Sequence, residues 1–408
     1  CSSDLIAGEC RFTRVSETGR PVTSRFDPPV ERRGSDSLKW RKYADASHDV
    51  IGAWVADLDL PTAEPVIDAV RKRLDERVFG YSDPPDDFLP VVMRRLEEKF
   101  AWQVEADWIV VQPGVVPSLF FASCCSGAPG DSIMAARPNY HYLLKTGGYT
   151  DRKTIPVDCQ ISDGRWQLDF EQMRQNINQR TSVFLLCNPH NPGGRCFTRQ
   201  ELEAIGELVL QHDLTVLSDE IHSDLVYDGR EHIPFASLAP ELEKRTITFN
   251  SANKAFNIAG LRVGIAVFGS AELQTAFESL PSRMRGGLTS FACAASRIAW
   301  EQCDDWLEAA LAYLQDNRDH MTKLLAERLP GIGYAPPDAT YLAWLDCNAL
   351  DLGAEPFDFF LEHAQVALYD GTLFGPEGTG CTRINFATPR PILELIIDRM
   401  AGALNQRR

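Results

Sequence analysis

Five polar segments each follow a short apolar run in this chain. NPHNPGGR (188–195) follows SVFLLC, Asp219 in SDEIH follows LTVLS, and SANK, ending in Lys254, follows RTITFN. PGVVP (113–117) follows WIVVQ, and RPNY (137–140) follows SIMAA. If the runs are strands of an open α/β sheet, these segments lie beyond the carboxyl ends, where such sheets bind ligands. Singly, each has an ordinary reading. Asp219 is a helix cap or a surface acid, Lys254 a solvated lysine, NPGG a turn, Tyr140 packing, and PGVVP a turn into a helix. Together they supply a carboxylate, an amine, an amide, a glycine-bearing turn and an aromatic plate. That set suits pyridoxal 5′-phosphate. The lysine forms the Schiff base, the acid keeps the pyridine nitrogen protonated, and neutral donors meet the ring oxygen. An aromatic stacks on the ring, and amides at a helix start hold the phosphate.

The elements that must carry these segments are legible in the periodicity. AEPVIDAVRKRLDER places Val66, Ile67, Val70 and Leu74 at helical spacing. DDFLPVVMRRLEEKF starts on acids and puts Pro90 in its first turn. WIVVQ, SIMAA, SVFLLC, LTVLS, RTITFN and LRVGIAVFG read as buried strands, and RQELEAIGELVLQHD reads as an amphipathic helix. Short, nearly all-apolar strands alternating with amphipathic helices predict an α/β fold, a parallel or mixed sheet covered on both faces. After about residue 285 a long helical stretch, TYLAWLD, a helix, TRINFAT and a last helix predict a smaller α+β domain. PEGTGC lacks the Lys-Ser/Thr of a phosphate loop and reads as a turn before TRINFAT.

Composition narrows the function. The 408 residues carry a formal net charge of −16. That acidity argues against sequence-independent nucleic-acid binding and against an anionic membrane surface. No apolar run approaches the ~20 residues of a membrane span. The N-terminus has no apolar core flanked by basic residues and is not read as a signal peptide. It also lacks an initiator Met, which permits a processed chain or one domain cut from a longer polypeptide. The 11 cysteines are odd in number, form no Cys-x-x-Cys pair, and several, such as Cys187, sit in apolar runs. They fit reduced thiols of a cytoplasmic protein, with neither a disulfide framework nor a metal site.

SANKAFNIAGLRVG, HNPGG and SDEIH resemble the lysine, asparagine and aspartate segments of fold-type I pyridoxal-phosphate enzymes, the aspartate aminotransferase superfamily. The 28-residue step from Asn191 to Asp219 and the 35-residue step to Lys254 fit that order. WVADLDLPTAEPV, VFGYSDP, PGVVPSL, NPHNPGGR, SDEIHSDLVY, HIPFASL, ATYLAWLD and RINFATPR together resemble the cystathionine β-lyase/cysteine C–S lyase branch of MalY/PatB type. The resemblance implies the fold-type I transferase fold, a large doubly wound, mixed seven-stranded sheet domain with a smaller α+β domain. The implied divisions are a tail over 1–25, a small-domain segment over 26–50, the large cofactor-binding domain over 51–285 and the small domain over 286–408.

The resemblance also assigns roles. Lys254 is the Schiff-base lysine and the base for the α-proton, and Asp219 pairs with the pyridine nitrogen. Asn191 and His222 lie near the ring oxygen, with His222 where aminotransferases usually have Tyr, and Tyr140 stacks on the ring. The amides of Val115 and Val116, with Ser251 and Arg262, bind phosphate. Arg383 grips the α-carboxylate as a bidentate partner. Tyr341, at a pocket rim, and Ala56 adjoin the substrate. Tyr81 reaches the site of a partner subunit, which implies a homodimer. Three features depart from the branch. Arg262 leans toward aminotransferases, RPNYHYLL brings the unusual His141 and Tyr142 to the wall near the ring, and Asn253 replaces Ser or Thr before the lysine.

The implied reaction is β-elimination from an L-cysteine S-conjugate or a cystathionine-like thioether, giving a thiol or persulfide, pyruvate and ammonia. Transamination through the same lysine is the alternative, and a non-catalytic regulatory domain of the same fold is a third. An excised domain of a natural-product enzyme would act on a cysteine adduct, free or tethered to an acyl carrier protein.

Overall fold

The computed structural model describes residues 24–43, 49–162 and 165–407. Most of the segment expected as a tail, and Cys1 and Cys10 with it, lies outside the described residues. Fourteen strands are seen among them, beginning with β1 (Ile51–Gly52). Next come β2 (Ile109–Gln112), β3 (Ser132–Arg137), β4 (Lys153–Ser162), β5 (Arg165–Leu168), β6 (Thr181–Cys187), β7 (Thr215–Asp219), β8 (Thr246–Asn250) and β9 (Gly264–Phe268). The last are β10 (Gly333–Tyr334), β11 (Leu342–Asp346), β12 (Val366–Ala367), β13 (Tyr369–Asp370) and β14 (Cys381–Asn385).

The main sheet runs β2-β9-β8-β7-β6-β3-β4-β5. Its centre, β4-β3-β6-β7-β8, is parallel, whereas β9, β2 and β5 join antiparallel. The all-apolar runs follow from cover on both faces. Val183, Leu185 and Cys187 of β6 enter one core cluster, with Val115 and Leu119 of the Val115–Cys125 helix. Phe184 and Leu186 enter the other, with Leu202, Ile205 and Val209 of the Arg199–Gln211 helix. That helix starts with a capping box in which Thr198 and Glu201 exchange hydrogen bonds. The Phe88–Phe100 helix has Pro90 in its first turn as expected, but Asp87 makes no cap bond. Its carboxylate pairs with Arg297 instead, at 3.0 Å.

The sheet has eight strands where seven were expected. The extra one, β5, pairs antiparallel with the outer half of β4. Its short sequence, RWQL, carries too little apolar pattern to announce a strand. It is held by what it touches: Arg165 pairs with Asp338, the carbonyl of Trp166 accepts from Arg195, and the Trp166 ring packs edge-on against Trp344 at 6.2 Å.

A second, antiparallel sheet runs β10-β11-β14-β13, with Arg383 of β14 opposite Trp344 and Tyr369. The Asp304–Arg328 and Arg390–Gln406 helices bury Leu314, Met321, Ile396 and Ile397 in the adjoining core. The N-terminal segment packs here too. Phe26 meets Trp306 at 6.0 Å, Tyr313 donates to Asp27, and β1 pairs parallel with β12. Among the described residues no helix is long and apolar enough to cross a membrane.

A buried charge cluster fixes the stretch after β1. Lys39, 1% exposed, donates to Asp59 at 2.5 Å. Asp59 also accepts from Arg32 at 3.0 Å and from the Trp40 indole at 3.3 Å, and the Trp54 indole donates to the Lys39 carbonyl. Residues 53–59 are thereby strapped across the second sheet, where Asn385 donates to the carbonyls of Val55 and Asp57. Removing one member of a buried pair strands the other. Asp59→Asn, which strands the Lys39 ammonium, is expected to cost about 3–5 kcal/mol in urea unfolding. Lys39→Met should cost clearly less, because Arg32 and Trp40 still serve Asp59. Equal losses would show that Asp59 is not the hub.

Candidate active site

Strands β6, β7 and β8 are neighbours, so the segments at their carboxyl ends come together. Asp219 ends β7, opposite Cys187 of β6 and Phe249 of β8. Asn188–Asn191 follow β6, and Ser251–Lys254 follow β8. The Asn188 N–H donates to the Asp219 carbonyl, and Asp219 Oδ1 accepts from the Ile221 N–H at 3.2 Å. Asp219 is 95% buried, and desolvation pushes its carboxyl up to about 6 against the pull of the Ile221 N–H and of Lys254.

Lys254 donates from Nζ to the Ala56 carbonyl at 2.9 Å, and the Tyr341 hydroxyl donates to the same oxygen at 2.9 Å. Burial pulls the amine below its ordinary value, helped by Arg383 and opposed by the carboxylates of Asp57 and Asp219. Tyr341 is fully buried in the core rather than at a rim, because its ring packs at the entry to β11 with its hydroxyl tied to the strap. Burial raises that hydroxyl well above the usual phenol range.

Arg383 is 1% exposed and has no carboxylate partner among the described residues. Nη1 donates to Asn191 Oδ1 at 2.8 Å, Nη2 donates to the Trp54 carbonyl at 2.9 Å, and Nε is buried with no partner. The guanidinium lies over the Tyr369 and Phe374 rings at 4.5 and 5.0 Å. Burial lowers it to about 10, with the phenol groups of Tyr369, Tyr140 and Tyr341 opposing.

The other expected residues divide. Tyr140, half-buried at the start of the His141–Tyr149 helix, lies within electrostatic reach of Arg383 and Asp219, and burial raises its hydroxyl. His222 is buried with Nδ1 unpartnered, and burial, Lys254 and Arg383 hold its ring neutral. Val115 and Val116 open their helix behind Gly114, whose φ of +145° favours glycine, and no side chain caps that turn. Ser251 spends its hydroxyl proton on the Val263 carbonyl at 2.6 Å, which fastens the lysine loop. Asn253 donates to the same carbonyl, and its Oδ1 is buried without a partner. Arg262 has a left-handed backbone and an exposed side chain. Tyr81 is fully exposed and touches none of these groups within its own chain.

Sequence reasoning missed the Trp54 carbonyl and Asp57, and it named Ala56 beside the substrate without its carbonyl as partner of Lys254. No residue-type signal marks a carbonyl, but the WVADLDL phrase held all three. The donor set fits pyridoxal 5′-phosphate. Lys254 is a half-buried lysine whose amine donates to a carbonyl, Asp219 is a buried acid, and one nitrogen each of His222 and Arg383, Nδ1 and Nε, is left without a partner. An uncapped helix start faces the same end of the sheet.

Comparisons with known proteins agree. Residues 55–399 match the family described as aminotransferase class I and II. The chain is 34% identical over 389 residues to cystathionine beta-lyase PatB of Bacillus subtilis, covering 93% of this chain and 100% of that protein. The crystal structure of cystalysin from Treponema denticola, which contains pyridoxal 5′-phosphate, matches with a TM-score of 0.90 and 30% identity, covering 94% of this chain and 99% of that one. That of the pyridoxal-phosphate-bound C–S lyase from Staphylococcus hominis matches with a TM-score of 0.87 and 27% identity, covering 93% and 98%.

The raised Asp219 carboxyl has a measurable consequence in cofactor-free protein. Its folded value, about 6, lies above its ordinary 3.8, so its stabilising contribution is complete below that lower value and is lost as pH rises through about 6. The buried charge then costs on the order of 3 kcal/mol. Asp219→Asn should match the wild type in urea unfolding near pH 4 and be the more stable by about that amount at pH 7. Parallel stability curves would mean that Asp219 is not buried as a charge.

Proposed function

The chain belongs to the aminotransferase class I and II family and to its pyridoxal-phosphate-dependent carbon–sulfur lyases, and from that premise we propose that it cleaves the Cβ–S bond of an L-cysteine S-conjugate or cystathionine-like thioether. The observation that carries the reading is the geometry around one strap. Its Trp54 carbonyl holds Arg383, a buried cation without a counter-charge among the described residues, and two residues later its Ala56 carbonyl holds the amine of Lys254.

The bound cofactor supplies an electron sink for the carbon from which a proton is removed. Lys254, Asp219, Asn191, His222, Tyr140 and the first-turn amides of Val115 and Val116 would hold it. Arg383 takes the α-carboxylate, whose charge replaces the missing counter-ion, and Asn191 and the strap fix the guanidinium plane. Lys254 Nζ, its pKa lowered by burial, removes the α-proton. Asp219 holds a proton at the ring nitrogen. The Cβ–S bond then breaks with its electron pair leaving on sulfur, and the released enamine hydrolyses to pyruvate and ammonia. The exposed Tyr81, beside exposed Val78 and Phe79, suits insertion into a second copy of the chain, so the working unit is proposed as a homodimer.

Transamination would use the same lysine, and Arg262 is the residue that favours it. The two readings separate on one requirement. The holoenzyme is expected to form pyruvate and thiol in equal amounts from L-cystathionine or an S-alkyl-L-cysteine with no keto acid added. Lys254→Ala should abolish turnover. Arg383→Lys, which keeps the charge and loses the planar fork, should raise KM roughly 10–100-fold. An obligatory keto-acid acceptor would overturn the lyase reading.

A further inference from the structure

The wall beside Arg383 is a continuous strip of aromatic rings. Tyr140 contacts His141 at 4.8 Å and Tyr142 at 5.5 Å between ring centroids, and His141 and Tyr142 lie 4.2 Å apart. From the other sheet, Tyr369 of β13 faces His141 at 6.0 Å with an interplanar angle of 34°. Its hydroxyl lies 3.5 Å from His141 Nδ1. The Tyr369 ring also meets Trp54 of the strap at 5.9 Å and lies beneath the Arg383 guanidinium. The strip is thus assembled from the start of the His141–Tyr149 helix, the strap, and β13. It ends inward on Arg383 and outward on Tyr142, which is exposed.

We propose that His141, Tyr142 and Tyr369 form the leaving-group subsite, and that the thiol released is a planar aromatic or heteroaromatic one. The inference rests on the lyase reading and extends it to a substrate class. A substrate anchored by its carboxylate on Arg383 has this strip alongside its β-substituent. The rings pack on one another at 4–6 Å, and the faces and edges that exposed Tyr142 and half-buried Tyr369 leave open accept a further ring by offset or edge-on packing. The polar atoms of the three side chains are two phenol hydroxyls and an imidazole, which suit one hydrogen bond to a ring heteroatom. The imidazole is neutral at neutral pH, because burial, then Lys145 and Arg383, bring it to about 4. A short alkyl group would leave these faces uncovered. The charged far end of a cystathionine-like thioether would meet no charge on the three rings themselves.

The test uses the holoenzyme and analogues in which a methylene replaces sulfur, so that no thiol can leave and leaving-group acidity plays no part. L-Homophenylalanine and L-norvaline are titrated against the visible absorption of the bound cofactor. Homophenylalanine is expected to bind roughly tenfold tighter. Tyr142→Ala and Tyr369→Leu should each narrow that gap. A pyridyl counterpart of homophenylalanine should gain further affinity in the wild type and lose that gain in His141→Leu, a variant that keeps the packing volume. Equal binding of the two analogues, or a preference unchanged in all three variants, overturns the proposal. Pyruvate assays with S-phenyl- and S-methyl-L-cysteine separate the two levels. No pyruvate from either substrate, with the titration preference intact, removes the lyase reading and leaves the ring-binding subsite. Pyruvate from both, with no titration preference, removes the subsite alone.

Discussion

Arg383 carries a positive charge into a place that water scarcely reaches, and the protein surrounds it with neutral oxygens and π faces rather than with an acid. A carboxylate in that position would have cancelled the charge and left the cavity inert toward an anionic ligand. Two neutral acceptors orient the guanidinium without discharging it. The two come from different parts of the fold, Asn191 from the main sheet and Trp54 from the strap, so the arginine of β14 joins the two sheets through its own hydrogen bonds. An uncompensated buried cation is costly, and a carboxylate ligand would relieve that cost.

The same economy shapes the lysine. Lys254 meets a carbonyl, and the acids around it, Asp57 and Asp219, act through space. Burial lowers the amine toward neutrality while those acids limit the fall. The β6-β7-β8 order places Asn191, Asp219 and Lys254 on adjacent strand ends.

Much of this was legible in the residues. All-apolar runs such as SVFLLC declared a sheet covered on both faces, and the polar residues after them declared which end carries chemistry. Asn191, Asp219 and Lys254 stood out because polar residues of those types follow apolar runs, whereas Arg383 was placed by the resemblance alone. Three things were not legible. β5 is a strand because of Asp338 and Trp344, which lie about 170 residues away in the chain. Tyr341, in the core-like run TYLAWLD, was expected at a rim, yet its hydroxyl partner is a carbonyl brought in by the strap. The resemblance placed Ser251 at the phosphate, and residue type alone does not show where its hydroxyl turns when no phosphate is bound. Its proton goes to Val263, a partner that the turn after Lys254 supplies.

The strap does its work with backbone oxygens at Trp54, Val55, Ala56 and Asp57. Side-chain replacement leaves a carbonyl in place, so the genetic code has no ordinary word for deleting these acceptors. Sequence drift along 54–57 can therefore alter side chains beside the site while the grip on the arginine, the lysine and Asn385 persists. The stretch is free to diversify in what it shows a ligand because what it gives the protein is common to every amino acid.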